Sequence, residues 1–218
     1  MKLPRFSAFS RCLLGVAAVT TLSFQASAAP FFWETSAAAA DWGVADNWSI
    51  DNVAGGAHPL AAPASSTADL VTFTVNSPPN AVTQTVNLKG AQKALGLVTI
   101  AQTFTTNIVG GGTASTLELG QSGIDHNVGG LTIGSSAAGQ GVDIRLLNTQ
   151  TWDSSTSGTG AAAIVAQNNV TNVGTDLNDL TLDGINTGST INGNVTDGAA
   201  VATLNIVKSG TGLWTLNG

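Results

Sequence analysis

The chain of 218 residues has no tyrosine, one cysteine, one methionine and two histidines. One thiol and two imidazoles exclude a disulfide framework and a structural zinc site. Charge is also scarce. Asp, Glu, Lys and Arg make up 9% of the chain, against about 25% in an ordinary soluble domain. Cations are the scarcer sign: 7 Lys and Arg face 13 carboxylates, for a net charge of −6. That balance excludes a nucleic-acid partner, because neutralising phosphates needs Lys and Arg. Hydrophobic residues reach 43%, which can fill a core and argues against global disorder. Glycine is abundant, with 26 residues.

Residues 1–28 read as a secretory signal peptide. Lys2, Arg5 and Arg11 form a basic leader, Cys12 to Leu22 an apolar run, and Ala26-Ser27-Ala28 a small-x-small cleavage site with the cut after Ala28. The run is about half the ~20 residues that span a bilayer, so no transmembrane helix is expected in the mature chain. Three of the seven cations leave with the leader, as do the only Cys and the only Met. Residues 29–218 must then hold together by packing and backbone hydrogen bonds alone.

Two regions follow. Residues 29–66 form a Trp-rich cap and loop, with Phe31, Phe32, Trp33, Trp42 and Trp48 ahead of a Gly- and Pro-containing stretch. Residues 67–218 are a series of short alternating segments, such as Val71 to Val75, Leu117 to Leu119, Leu131 to Ile133, Val142 to Leu146 and Leu180 to Leu182. Period-two alternation gives strands with one buried face. Ser36 to Asp41 is too short to stand alone as a helix. Leu117-Glu-Leu119-Gly120, Leu131-Thr-Ile133-Gly134 and Leu180-Thr-Leu182-Asp183-Gly184 share a Leu-x-aliphatic core with a following Gly. This recurrence points to an all-β solenoid of stacked repeats. At ~20–25 residues per turn it would make roughly eight turns, and at ~4.8 Å between strands a rod about 35–40 Å long. A β-sandwich or jelly roll is the alternative that the same short strands allow.

The motifs also resemble a family. Trp33…Asp41-Trp42-Gly43…Asp46-Asn47-Trp48-Ser49 is similar to the opening of secreted bacterial proteins with autotransporter-associated β-strand repeats. The terminal segment Leu204 to Gly218 resembles the repeat itself, with Lys208, Ser209, Gly210, Gly212, Leu213, Leu216 and Gly218 at its motif positions. The resemblance implies a right-handed parallel β-helix, exported or displayed at the bacterial cell surface, with no catalytic residues. Family repeats continue past the final Gly, so a chain stopping inside the first such repeat reads as an N-terminal fragment with an open edge.

Candidate chemistry is thin. Asp125-His126 near Ser122 lacks a Gly-x-Ser-x-Gly elbow, and His58 is isolated, so neither histidine carries a hydrolase reading. Lys89, Lys93, Arg145 and Lys208 are too scattered to supply a polysaccharide-lyase base. Asp176, Asn178, Asp179 and Asp183 are rich in oxygen but lack calcium-loop spacing, and read as solvated turn residues. No cofactor or metal is expected. Trp33, Trp42 and Trp48 either stack on glycans or cap the first turn, where large aromatics bury ~150–250 Å² each. Trp152 and Trp214 read as core or edge residues. The expected function is therefore a non-enzymatic structural segment whose partners are its own copies or surface glycans. A glycan-binding module or a fragment of a β-helical polysaccharide-degrading enzyme is the alternative.

Overall fold

The computed structural model describes residues 30–34, 38–53, 57–59, 61–63, 69–74, 83–100, 104–154, 163–198 and 203–218. The expected signal peptide and cleavage site after Ala28 lie outside them. In chain order the strands are β1 (Pro30–Trp33), β2 (Ala39–Asp41), β3 (Trp48–Ser49), β4 (Leu70–Thr74), β5 (Thr83–Asn87), β6 (Ala91–Ile100), β7 (Thr105–Val109), β8 (Ser115–His126) and β9 (Gly130–Ile133). They continue with β10 (Val142–Leu146), β11 (Gln150–Ser154), β12 (Ile164–Ala166), β13 (Val170–Asn172), β14 (Asn178–Gly184), β15 (Ser189–Ile191), β16 (Val195–Thr196), β17 (Leu204–Lys208) and β18 (Trp214–Leu216). Among the described residues a single 3-10 turn, Ala45–Asn47, interrupts them.

The strands wind into a parallel β-solenoid with three faces. One face is the seven-stranded sheet that stacks β2, β5, β7, β9, β12, β15 and β18. The other sheet wraps the remaining two faces. On one, the first halves of β6 and β8 are followed by β10, β13 and β16. On the other, β1 and β4 are followed by the second halves of β6 and β8, then β11, β14 and β17. Among the described residues every strand pair is parallel except β1 with β3. A sandwich or jelly roll would pair its neighbours antiparallel, so that alternative falls.

Five complete turns run from β5 to β17, fewer than the roughly eight expected. Two physical reasons account for the difference. Val86, Ile108, Ile133, Ala166, Ile191 and Leu216 form one inward column in steps of 22 to 33 residues, of which that from Ile133 to Ala166 exceeds the repeat assumed, and the described residues ahead of β5 supply only β1 to β4. The look-alike Leu-x-aliphatic-Gly segments are also not equivalent positions. Leu117–Gly120 lies on one face, Leu131–Gly134 on the second and Leu180–Gly184 on the third. They share a strand-then-corner chemistry, not a place in the repeat. Seven stacked strands give a rod about 29 Å long at about 4.8 Å per step.

Alternation builds the core. Along β10 and β14 every second side chain is buried, so Val142, Ile144, Leu146, Leu180 and Leu182 point inward. Each fully buried Val, Leu or Ile contributes about 1.5–3 kcal/mol. The outward positions between them form ladders. Glu118 sits in register between Lys93 and Arg145 on adjacent strands, and pairs with both, at 2.7 Å and 3.2 Å. The Trp-rich segment continues the same sheets, because β1 pairs with β4 and β2 with β5. The end of the alanine run, Ala39–Asp41, is strand β2.

Candidate functional site

The aromatic residues of the N-terminal segment form a closed cluster. Trp33, Trp42 and Trp48 are 1%, 0% and 0% exposed. Trp48 packs edge-on against both, with ring centroids at 4.7 Å from Trp33 and 5.0 Å from Trp42. Phe73 of β4 lies 6.3 Å from Trp33. The indole N–H of Trp48 donates to the Trp42 carbonyl, and that of Trp42 to the Pro63 carbonyl. A glycan-stacking role needs an open ring face, and this cluster turns its rings inward at the first turn. Trp152 and Trp214 lie with ring centroids 6.4 Å apart and planes tilted by 44° in the later turns, Trp152 fully buried.

The terminal motif residues form the last corner. Lys208 ends β17, and its ammonium bonds the carbonyls of Ser209 and, at 3.0 Å, Gly210. Gly210 has φ +55, and a Cβ there would meet Gly184 O at 2.4 Å. The amides of Ser209, Gly212 and Leu213 donate to the preceding turn. The Gly-x-Gly spacing therefore follows from backbone packed against backbone. Gly218 stands likewise against Gly193. Leu213 and Leu216, with Ile206 and Val207, are exposed at this end.

The hydrolase-like residues do not assemble. His126 closes β8 with its ring fully buried, whereas its neighbour Asp125 points outward, because neighbours in a strand face opposite ways, and Ser122 is exposed before Gly123, whose φ of +59 breaks the alternation. His126 Nε2–H donates to Gly129 O at 3.1 Å, and Nδ1 accepts from Thr99 Oγ1 at 2.6 Å. Burial holds its pKa down to about 4, partly opposed by the Gly129 bond. His58 Nδ1 bonds the Trp48 carbonyl at 2.7 Å. Among the described residues the four cations are all engaged: Lys89 with Asp41, Lys93 and Arg145 with Glu118, and Lys208 with backbone carbonyls.

The oxygen-rich segment is also spread out. Asn178 points inward and its amide donates to Asn172 at 2.8 Å, while Asp179 and Asp183 point outward four residues apart along β14. Among the described residues no group of three or more His, Cys, Asp or Glu is placed to hold a metal ion. Another column arises only from the register between turns. Asp125, Asp153 and Asp183 stack in register on successive strands. Burial, then the neighbouring Asp153 carboxylate, push the Asp125 pKa up, and Asp153 Oδ1 is buried without a partner.

The outer face of the seven-stranded sheet has a different character. From β5 onward its strands contain no charged residue. One outward column runs Thr85, Asn107, Thr132, Val165, Thr190 and Thr215. Beside it, Asn217 donates its amide to Asn192 and Asn192 to Gln167, at 2.8 and 2.9 Å. A groove of about 220 Å³ opens at the head of this amide ladder, between Asn107, Thr132, Ser136 and Gln167, over Val109 and Gly134. Its visibility depends on register across turns, which no local motif encodes. Comparison with protein-family models, curated proteins and solved structures finds no match to this chain.

Proposed function

We propose that the chain is a non-enzymatic structural segment of an exported bacterial β-solenoid protein, of the autotransporter passenger-like kind that its Asn47-Trp48-Ser49 and Lys208–Gly218 motifs resemble. The observation that carries this reading is the one-dimensional stack. Each turn packs on its neighbours through inward columns and outward ladders that run from turn to turn, so extension of the rod is what the fold supplies. The engaged state of Lys89, Lys93, Arg145 and Lys208 supports a structural role over a lyase-type base. The leader supports export.

The test is expression of the full chain with its own leader in a Gram-negative bacterium. N-terminal sequencing of the envelope and medium fractions is expected to start at Ala29, with the product accessible to external protease. An unprocessed chain retained in the cytoplasm would overturn the export half of the proposal. A hydrolysis or elimination activity on a polysaccharide panel would overturn the non-enzymatic half.

A further inference from the structure

The charge-free face and its groove are not used by the structural role, and they point to a ligand. The amide column of Asn217, Asn192 and Gln167 would continue at Gly134, where there is no side chain. That gap is fixed by the backbone. Gly134 has φ +83, and a Cβ there would lie 2.0 Å from Asn168 Oδ1, an oxygen already holding the Val142 amide. The wall formed by the turn after β9 is tied in place. Ser135 Oγ accepts from the Ala137 amide, and Gln140 Oε1 accepts from the Gly111 amide of the preceding turn. The notch is thus a preformed feature, the usual condition for a binding site.

Its chemistry is specific. Gln167 spends its Oε1 on Asn192, which leaves Nε2 as a donor at the groove. The Asn107 amide and the Thr132 and Ser136 hydroxyls make no hydrogen bond to any described residue. The Asn107 amide and the two hydroxyls both donate and accept, Gln167 Nε2 donates, and none of the four groups is charged. An anion would find no cation here and a metal ion no carboxylate. A neutral, hydroxyl-rich ligand matches, since each of its hydroxyls also donates and accepts. Beyond Val165 the column from Thr132 offers Thr190 and Thr215 in steps of about 4.8 Å, comparable to the rise of one sugar ring in an extended chain.

We propose that this notch binds one residue of a neutral glycan through Asn107, Thr132, Ser136 and Gln167, with the glycan chain running along the rod over the Thr column. The inference is independent of export and of whether the chain is structural. It is tested on the purified full chain by calorimetry and amide NMR. The probes are hexamers of β-1,4-glucan, β-1,3-glucan, α-1,4-glucan and β-1,4-mannan, with hexagalacturonate as the charged control. At least one neutral hexamer is expected to bind and to shift the amides of β7, β9 and β12. The triple variant Asn107→Ala, Thr132→Val, Gln167→Ala is expected to weaken binding about a hundredfold, from two to three lost hydrogen bonds. Thr132→Val alone, which keeps side-chain shape should the triple variant not fold, is expected to weaken it several-fold. Thr190→Val, outside the notch, is expected to leave notch shifts in place. No binding of any neutral hexamer at millimolar concentration overturns the proposal. So does binding of hexagalacturonate alone, or binding that Thr132→Val leaves unchanged.

Discussion

Thr99 donates its hydroxyl to Nδ1 of His126 across one step of the stack, at 2.6 Å, and the Asn127 amide in turn donates to Thr99 Oγ1 at 3.1 Å. With Nε2–H on the Gly129 carbonyl, both ring nitrogens are committed and the imidazole is held neutral. A second proton on Nδ1 would face the Thr99 oxygen without solvent to spread the charge.

This pair makes the fold sensitive to mild acid. The unfolded chain protonates His126 near pH 6.5, the folded chain only near 4. Between those values the unfolded state binds more protons, so stability falls as pH falls. Urea unfolding from pH 7 to pH 4 is expected to lose about 3 kcal/mol from this group. The His126→Gln variant should flatten that slope. A slope unchanged in the variant would show that the acid response lies elsewhere.

The aspartate column acts with the opposite sign. The folded-state pKa of Asp125 is raised by burial and then by Asp153, so the native state holds this proton more tightly than the unfolded chain. Its unfavourable contribution grows as pH rises through the carboxylate range. Asp125→Asn is expected to raise neutral-pH stability by about 0.5 kcal/mol, a gain that shrinks with added salt. Thermal melts of both proteins at low and high ionic strength measure it, and a destabilised variant would refute it.

Gln84 points into the interior from β5 at 1% exposure, and neither its oxygen nor its nitrogen has a partner. A buried amide without hydrogen bonds costs about 1–3 kcal/mol. Gln84→Leu is therefore expected to stabilise the chain by about 1–2 kcal/mol, read as a higher urea midpoint at constant slope. A lower midpoint would mean that the amide is satisfied in solution.

Trp48 touches Trp33, Trp42, Phe31 and Phe73 and is the hub of the N-terminal cluster. Trp48→Ala is expected to cost about 3–5 kcal/mol. In hydrogen exchange, protection should be lost first in β1, β4 and the first turn, with β11 to β15 losing least. Uniform loss along the chain would indicate a single cooperative unit instead.

Much of the stack was legible because it obeys one rule. Val142-Asp-Ile144-Arg-Leu146 alternates in sequence and in burial, and Leu180-Thr-Leu182 does the same. Strands whose inward positions are polar or small escaped that rule. In β13 and β15 the inward Asn172 and Ser189 are fully buried with hydrogen-bond partners. In β12 only Ile164 and Ala166 face in. The three-sided section was also hidden, because β6 and β8 run through a corner as continuous strands, with a register shift between Ala94 and Gly96. The notch required knowing that Gly134 and Gln167 fall in one column. The tryptophans were readable as a group, and their burial follows from packing against Phe73, far along the chain.

The inward column from Val86 to Leu216 also makes the molecule a ruler. Three of its five intervals equal the 25 residues that separate Asn192 from Asn217, and one exceeds them. The longest, between Ile133 and Ala166, includes the turn 134–141 between β9 and β10. Length along the axis is thus counted in whole circuits, and sideways bulk is added at corners without changing that count. Duplicating one circuit would move every later surface feature outward by a single increment of about 4.8 Å, leaving its orientation nearly the same. Spacing between features on such a protein can change only in these discrete increments.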